Sequence, residues 1–236
     1  MNKLITKTAL TFAIIGGGML GAFEAQAFTL FSDRTSFENS INGILTEGFE
    51  EANVTTSFAG PLNSSTNNGI FSTGDILSGI TFSASSGNLY TAAPGQSSNP
   101  TQALGQNSPA SASFDITFDQ GVNAVAFDIF QNSGLGSQTG VPQDYLVSLF
   151  NGTTNIADFN VTALSGQAGG FFGVSTNIPN QITSVSINNS SLFEVVDNVS
   201  FSSEPVQDVP EPLTILGTSV ALGLGTLMKR RKSQAE

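Results

Sequence analysis

Between residues 28 and 208 the side chains able to do chemistry are almost all carboxylates. Fifteen Asp and Glu stand there against one basic residue, Arg34, a net charge of −14. The 236-residue chain holds no Cys, no His and no Trp. That removes thiol nucleophiles, Ser-His-Asp triads and the usual zinc sites. A metal would have to be held by oxygen, which means calcium or magnesium. Catalysis would have to use carboxylates, Tyr or a Ser without a His base. Glycosidases work with two carboxyls roughly 5–9.5 Å apart, but no spacing in this sequence singles out such a pair. A nucleic-acid partner is not expected, because phosphate binding draws on clustered Lys and Arg. Divalent cations or a neutral sugar surface suit this charge better.

Asp197 is the acid whose setting is most telling. Phe193, Val195, Asp197, Val199 and Phe201 share one face of an unbroken strand, so the carboxylate is expected among core-facing neighbours. A buried carboxylate needs a partner. The candidates are Arg34, backbone N–H groups, hydroxyls or a bound cation. A bulge at Asp197-Asn198 would instead turn the side chain outward.

The elements that must position these residues read as one all-β domain of about 180 residues, a size that supports a real core. A short helix opens it, with Thr35 and Glu38 as a capping box, Phe37, Ile41 and Leu45 at helical spacing, and Gly43 ending the turn. Further on the period becomes two. Phe114 to Asp119 alternates, and Val125, Phe127 and Ile129 share a face. Tyr145 to Phe150 meets Thr153 to Val161 across Asn151-Gly152, a hairpin signal. Strands follow at Gly170 to Thr176, Ile182 to Asn188 and Leu192 to Phe201. The polar stretches Pro94 to Ser113 and Asn132 to Gln143 read as loops. With no Cys, stability must come from the core alone. The 19 Phe residues are its expected content. Tyr90 and Tyr145 are the only hydroxyl-bearing aromatics, which argues against a strong lectin built on stacked rings.

Both ends carry sorting features. Lys3 and Lys7, the apolar run Ala9 to Leu20 and Ala25-Gln26-Ala27 make residues 1–27 a signal peptide, cut by signal peptidase before Phe28. Near the other end Val209-Pro210-Glu211-Pro212 precedes 16 uncharged residues, Leu213 to Met228, and then Lys229-Arg230-Arg231-Lys232. As a helix that segment would span roughly 24 Å, short of a hydrocarbon core of about 30 Å. The basic cluster should stay cytoplasmic. The ordered triple resembles the PEP-CTERM signal, which exosortase-type enzymes process on exported proteins of exopolysaccharide-producing Gram-negative bacteria. An ordinary C-terminal membrane anchor is the alternative.

A second resemblance rests on Gly48-Phe49-Glu50 and Val196-Asp197-Asn198-Val199. These are similar to the paired end motifs of galactose-binding-like jelly-roll domains. In the calcium-bearing members the early Glu and late Asp help hold a structural ion, which implies Glu50 and Asp197 as ligands here. This chain has Asp-Asn where many relatives have Asp-Asp, a lower ligand charge.

The expected organisation is therefore a signal peptide (1–27), a jelly-roll β-sandwich (28–204), a linker holding Pro210, Glu211 and Pro212 (205–212), a transmembrane sorting helix (213–228) and a basic tail (229–236). The expected role is structural or adhesive in an exopolysaccharide layer at the cell surface, without catalysis. A carbohydrate-binding module with a specific glycan site is the alternative.

Overall fold

The computed structural model describes residues 28–52, 54–95, 99–107, 112–131, 142–163, 169–188 and 194–204. The expected signal peptide, Pro-Glu-Pro linker, sorting helix and basic tail lie outside the described residues. Among the described residues no helix is long and apolar enough to cross a membrane.

The first half of the fold holds short elements: β1 (Phe28–Leu30), α1 (Arg34–Glu38), β2 (Leu45–Glu47), β3 (Thr56–Phe58), β4 (Leu62–Asn63), β5 (Ile80–Ala84), β6 (Asn88–Ala92) and β7 (Ala103–Asn107). Longer strands follow: β8 (Ser113–Val122), β9 (Ala124–Gln131), β10 (Gln143–Asn151), β11 (Thr154–Ala163), β12 (Gly170–Thr176), β13 (Ile182–Asn188) and β14 (Glu194–Ser202). They form two antiparallel sheets. One runs β1-β12-β9-β14-β7-β6-β3, with β2 also on β14; the other runs β11-β10-β13-β8-β5-β4. The result is a β-sandwich.

The alternation read from sequence explains the packing. On β8, Phe114, Ile116 and Phe118 are buried while Thr117 and Asp119 are exposed. They meet Val125, Phe127, Ile129, Tyr145, Val147 and Leu149 in one continuous core. Rings join the sheets, with Phe118 5.3 Å from Phe201 and Phe159 5.6 Å from Phe172, while Phe127 lies 5.2 Å from Phe172 across neighbouring strands of one sheet. Strand β9 is buried on both faces, because Phe37 and Ile41 cover the outward Ala124 and Ala126.

Three expectations change. The helix cap is Asp33, not Thr35: its carboxylate accepts from the Ser36 N–H at 2.8 Å. Leu45 is not on the helix but opens β2, since α1 ends at Glu38. Residues 94–113 are not all loop, because β7 pairs there with β6 and β14. Its sequence Ala-Leu-Gly-Gln-Asn lacks the β-branched residues that mark a strand. The hairpin is present, with Asn151 opposite Thr154, so Gly152-Thr153 forms its two-residue loop. Gly152 sits at φ +59°, the left-handed conformation such turns require.

Candidate functional site

The strand that carries Asp197 is not unbroken. The β14–β9 register shifts between Asp197 and Ser200, and Asn198 sits at φ +50°. This bulge reverses the side-chain alternation. Val196 points into the main core before it, and Val199 and Phe201 point into that core after it. Val195 packs in a separate cluster with Tyr90, Ala92, Ala103 and Phe130. Asp197 therefore leaves the core-facing row expected for it, yet it does not reach solvent: it is 0% exposed.

Its partners are donors from the 99–101 segment and its own strand. Asn99 Nδ2 donates to Oδ2 at 2.7 Å and Thr101 Oγ1 at 2.6 Å, while the Asn198 N–H donates to Oδ1 at 2.7 Å. Burial pushes the Asp197 carboxyl above the usual Asp value, against the lowering pull of Thr101, Asn99 and Asn198. Arg34 is not a direct partner. It pairs with Asp128 at 3.1 Å, donates to Ser200 Oγ and the Asn198 carbonyl, and lies over the Phe171 ring. Asn198 links the two groups, donating to Asp128 at 2.9 Å. Arg34 thus pins α1 to the outer face of the sheet.

Glu50 occupies different surroundings, exposed in the turn after Phe49. The acid buried near it is Glu47, 4% exposed. Its carboxylate accepts from the Phe49 N–H at 3.1 Å and the Leu77 N–H at 2.8 Å. Burial raises its pKa, and those backbone donors oppose the rise. It ties the 72–77 segment to a turn in which buried Phe49 adopts φ +60°. Glu47 was not singled out in the sequence; the only local signal is an acid beside Gly48-Phe49.

Calcium does not fit these surroundings. Hydrogen-bond donors already occupy both oxygens of Asp197, and Glu50 offers an exposed carboxylate. Among the described residues no group of three or more acids is placed to hold an ion.

Two surfaces remain. The outer face of the six-stranded sheet is a field of hydroxyls and carboxylates in cross-strand pairs. Ser148 donates to Asp158, Thr162 to Asp144 and Ser186 to Asp115, each at 2.6 Å. The two bonds to Asp158 from Ser148 and Asn155 hold its carboxyl below the usual Asp value. Leu146, 43% exposed, lies among them. Separately, a shallow cleft of about 270 Å³ lies between the end of β14 and β8, with Val122 and Phe201 below and Asp119, Gln120 and Ser203 around it. Tyr90 and Tyr145 are both buried, so neither offers a stacking platform.

No family model matches the chain, and no curated protein matches its sequence. Among solved structures, it is similar to a family 29 carbohydrate-binding module from Piromyces equi, at 11% identity and a TM-score of 0.36, over 70% of this chain and 95% of that one. It is also similar to a family 11 carbohydrate-binding module from Clostridium thermocellum, in complex with a β-1,3-1,4-mixed-linked tetrasaccharide. There the identity is 10% and the TM-score 0.31, over 62% of this chain and 96% of that one.

Proposed function

We propose that the protein is an exported surface or matrix component, delivered by a PEP-CTERM/exosortase route, with a structural or adhesive role in an exopolysaccharide layer. The sandwich is read as a jelly roll, because from β7 to β14 nearly every connection passes from one sheet to the other. The observation that carries the functional reading is the outer face of the six-stranded sheet. Its paired hydroxyls and carboxylates form an open, hydrogen-bonding surface suited to a hydrated, polyhydroxyl polymer. Such a surface favours many weak contacts over one tight site. The sorting reading is supported by Pro210, Glu211 and Pro212 standing before the apolar and basic segments.

Two measurements test it. Intact mass of protein from the native host should show a start at Phe28 and loss of the segment Leu213 to Met228. A retained tail would make that segment a plain anchor. Co-sedimentation with the host's purified exopolysaccharide should show weak binding that falls when Asp144, Asp158 and Ser186 are replaced by Ala. No binding at any polymer concentration would remove the adhesive role. The second reading, a module with a specific glycan site, is favoured by the cleft at Val122 and Phe201. Its apolar floor and polar rim suit one sugar ring, and a selective glycan-array signal lost in Asp119→Ala would select it.

A further inference from the structure

Among the described residues the sheets end on β1, β2, β3, β4 and β11, and all but the last are blunt. Strands β1, β2 and β3 have three residues each and β4 has two. Short edges are one way in which proteins avoid unwanted pairing. The remaining edge, β11, has ten residues and pairs with no described strand other than β10. It has no Pro and no Lys, and its one charge, Asp158, is already held by Ser148 and Asn155. The register shift lies at its start, opposite Leu149 and Phe150, so Ala157 to Ala163 is regular. In that stretch every second residue turns its N–H and C=O away from β10.

We infer that β11 is a pairing edge for a second copy of this chain, joined antiparallel about Asn160. A two-fold axis there uses the whole regular stretch, with Asn160 opposite its own copy. Phe159 then faces Val161, Ala157 faces Ala163, and Asp158 faces Thr162. Aromatic and β-branched residues opposite each other are favourable cross-strand pairs, and no like charges meet. Phe159 is already fixed by packing against Phe28 at 6.1 Å and Phe172 at 5.6 Å, so little ordering is needed. The strand's near-neutrality matters because each copy carries −14 between residues 28 and 208. Self-pairing would be opposed by acids set directly opposite each other, and the register about Asn160 sets none so. The dimer is therefore expected to be weak at low salt and to tighten as salt screens the rest of the surface.

The inference rests on the structural reading above, but its test uses no glycan, so either can fail alone. Sedimentation equilibrium of the full chain in mild detergent should show a monomer–dimer equilibrium that strengthens with salt. Asn160 is exposed, so its replacement should leave the fold intact. Asn160→Asp and Asn160→Lys each place like charges on the axis, and each should weaken the dimer about fivefold. Mixing the two variants should restore it, because opposite charges then meet. A natural chain that stays monomeric at every concentration overturns the inference. So does an equilibrium that neither variant changes, which would mean association through the apolar tail, or a mixture that fails to recover. Loss of a different bound protein in both variants would likewise overturn it in favour of another occupant.

Discussion

Asp197 on β14 and Asp128 on β9 stand directly opposite each other across the sheet, and the amide of Asn198 donates to both, at 3.4 and 2.9 Å. Like charges in that position repel. Arg34 neutralises Asp128 from one side, while Asn99 and Thr101 satisfy Asp197 from the other. Asn198 is suited to the gap because it also tolerates φ +50°, which most residues do not. Asn198→Ala should therefore destabilise by about 2–3 kcal/mol, combining backbone strain with lost hydrogen bonds. Urea unfolding measures it. A change below about 0.5 kcal/mol would mean that the bridge contributes nothing.

Stability should rise on mild acidification. Asp197 and Glu47 both have folded-state pKa values raised by burial. The folded protein thus keeps protons that the unfolded chain has already released. The stability tied to those protons is complete below about pH 4 and is lost as pH climbs through the raised values. Asp158, whose carboxyl is held low, acts in the opposite sense, losing its contribution as pH falls below the usual Asp value. Asp197→Asn cannot titrate, so its stability should vary less between pH 4 and 7. A natural protein that gains stability from pH 5 to 7 would refute this account.

The later half of the sandwich was legible because its strands alternate. Phe114, Ile116 and Phe118 fall on one face by spacing alone, as do Val125, Phe127 and Ile129. The earlier strands were not legible, because β2, β3 and β4 are too short to establish a period and β7 is built of small and amide residues. Asp197 illustrates the other limit. Its parity assigned it to the core, and the bulge reversed that assignment. A signal was present: Val196 and Val199 are both apolar but cannot share a face of a regular strand, and Asn198 between them tolerates the left-handed turn. Glu47 gave no comparable signal, because its burial depends on Leu77, distant in sequence.

Core truncation should be severe. Phe127 is fully buried and packs on Phe172, and Phe118 packs on Phe201. With no disulfide to limit the unfolded state, Phe127→Ala and Phe118→Ala should each cost about 3–5 kcal/mol. Small domains are typically stable by only about 5–15 kcal/mol, so either variant should unfold at much lower urea. A cost below about 1 kcal/mol would place the ring outside the core.

Calcium provides the last test, because sequence and structure point in different directions. The Glu50 and Asp197 pair implied a structural ion, whereas both Asp197 oxygens accept hydrogen bonds from neighbouring donors. Thermal unfolding should therefore respond alike to calcium, magnesium and matched ionic strength, through screening of the surface acids. Asn198→Asp should change this. It gathers three carboxylates, at 128, 197 and 198, where the natural chain has an amide bridge. In EDTA that variant should be less stable than the natural protein, since the repulsion has lost its donor. With calcium it should recover selectively, by about 2.7 kcal/mol at a hundredfold excess over Kd. A calcium-selective rise already present in the natural chain, and abolished by Asp197→Ala, would return the ion to Asp197 and displace the hydrogen-bonded account.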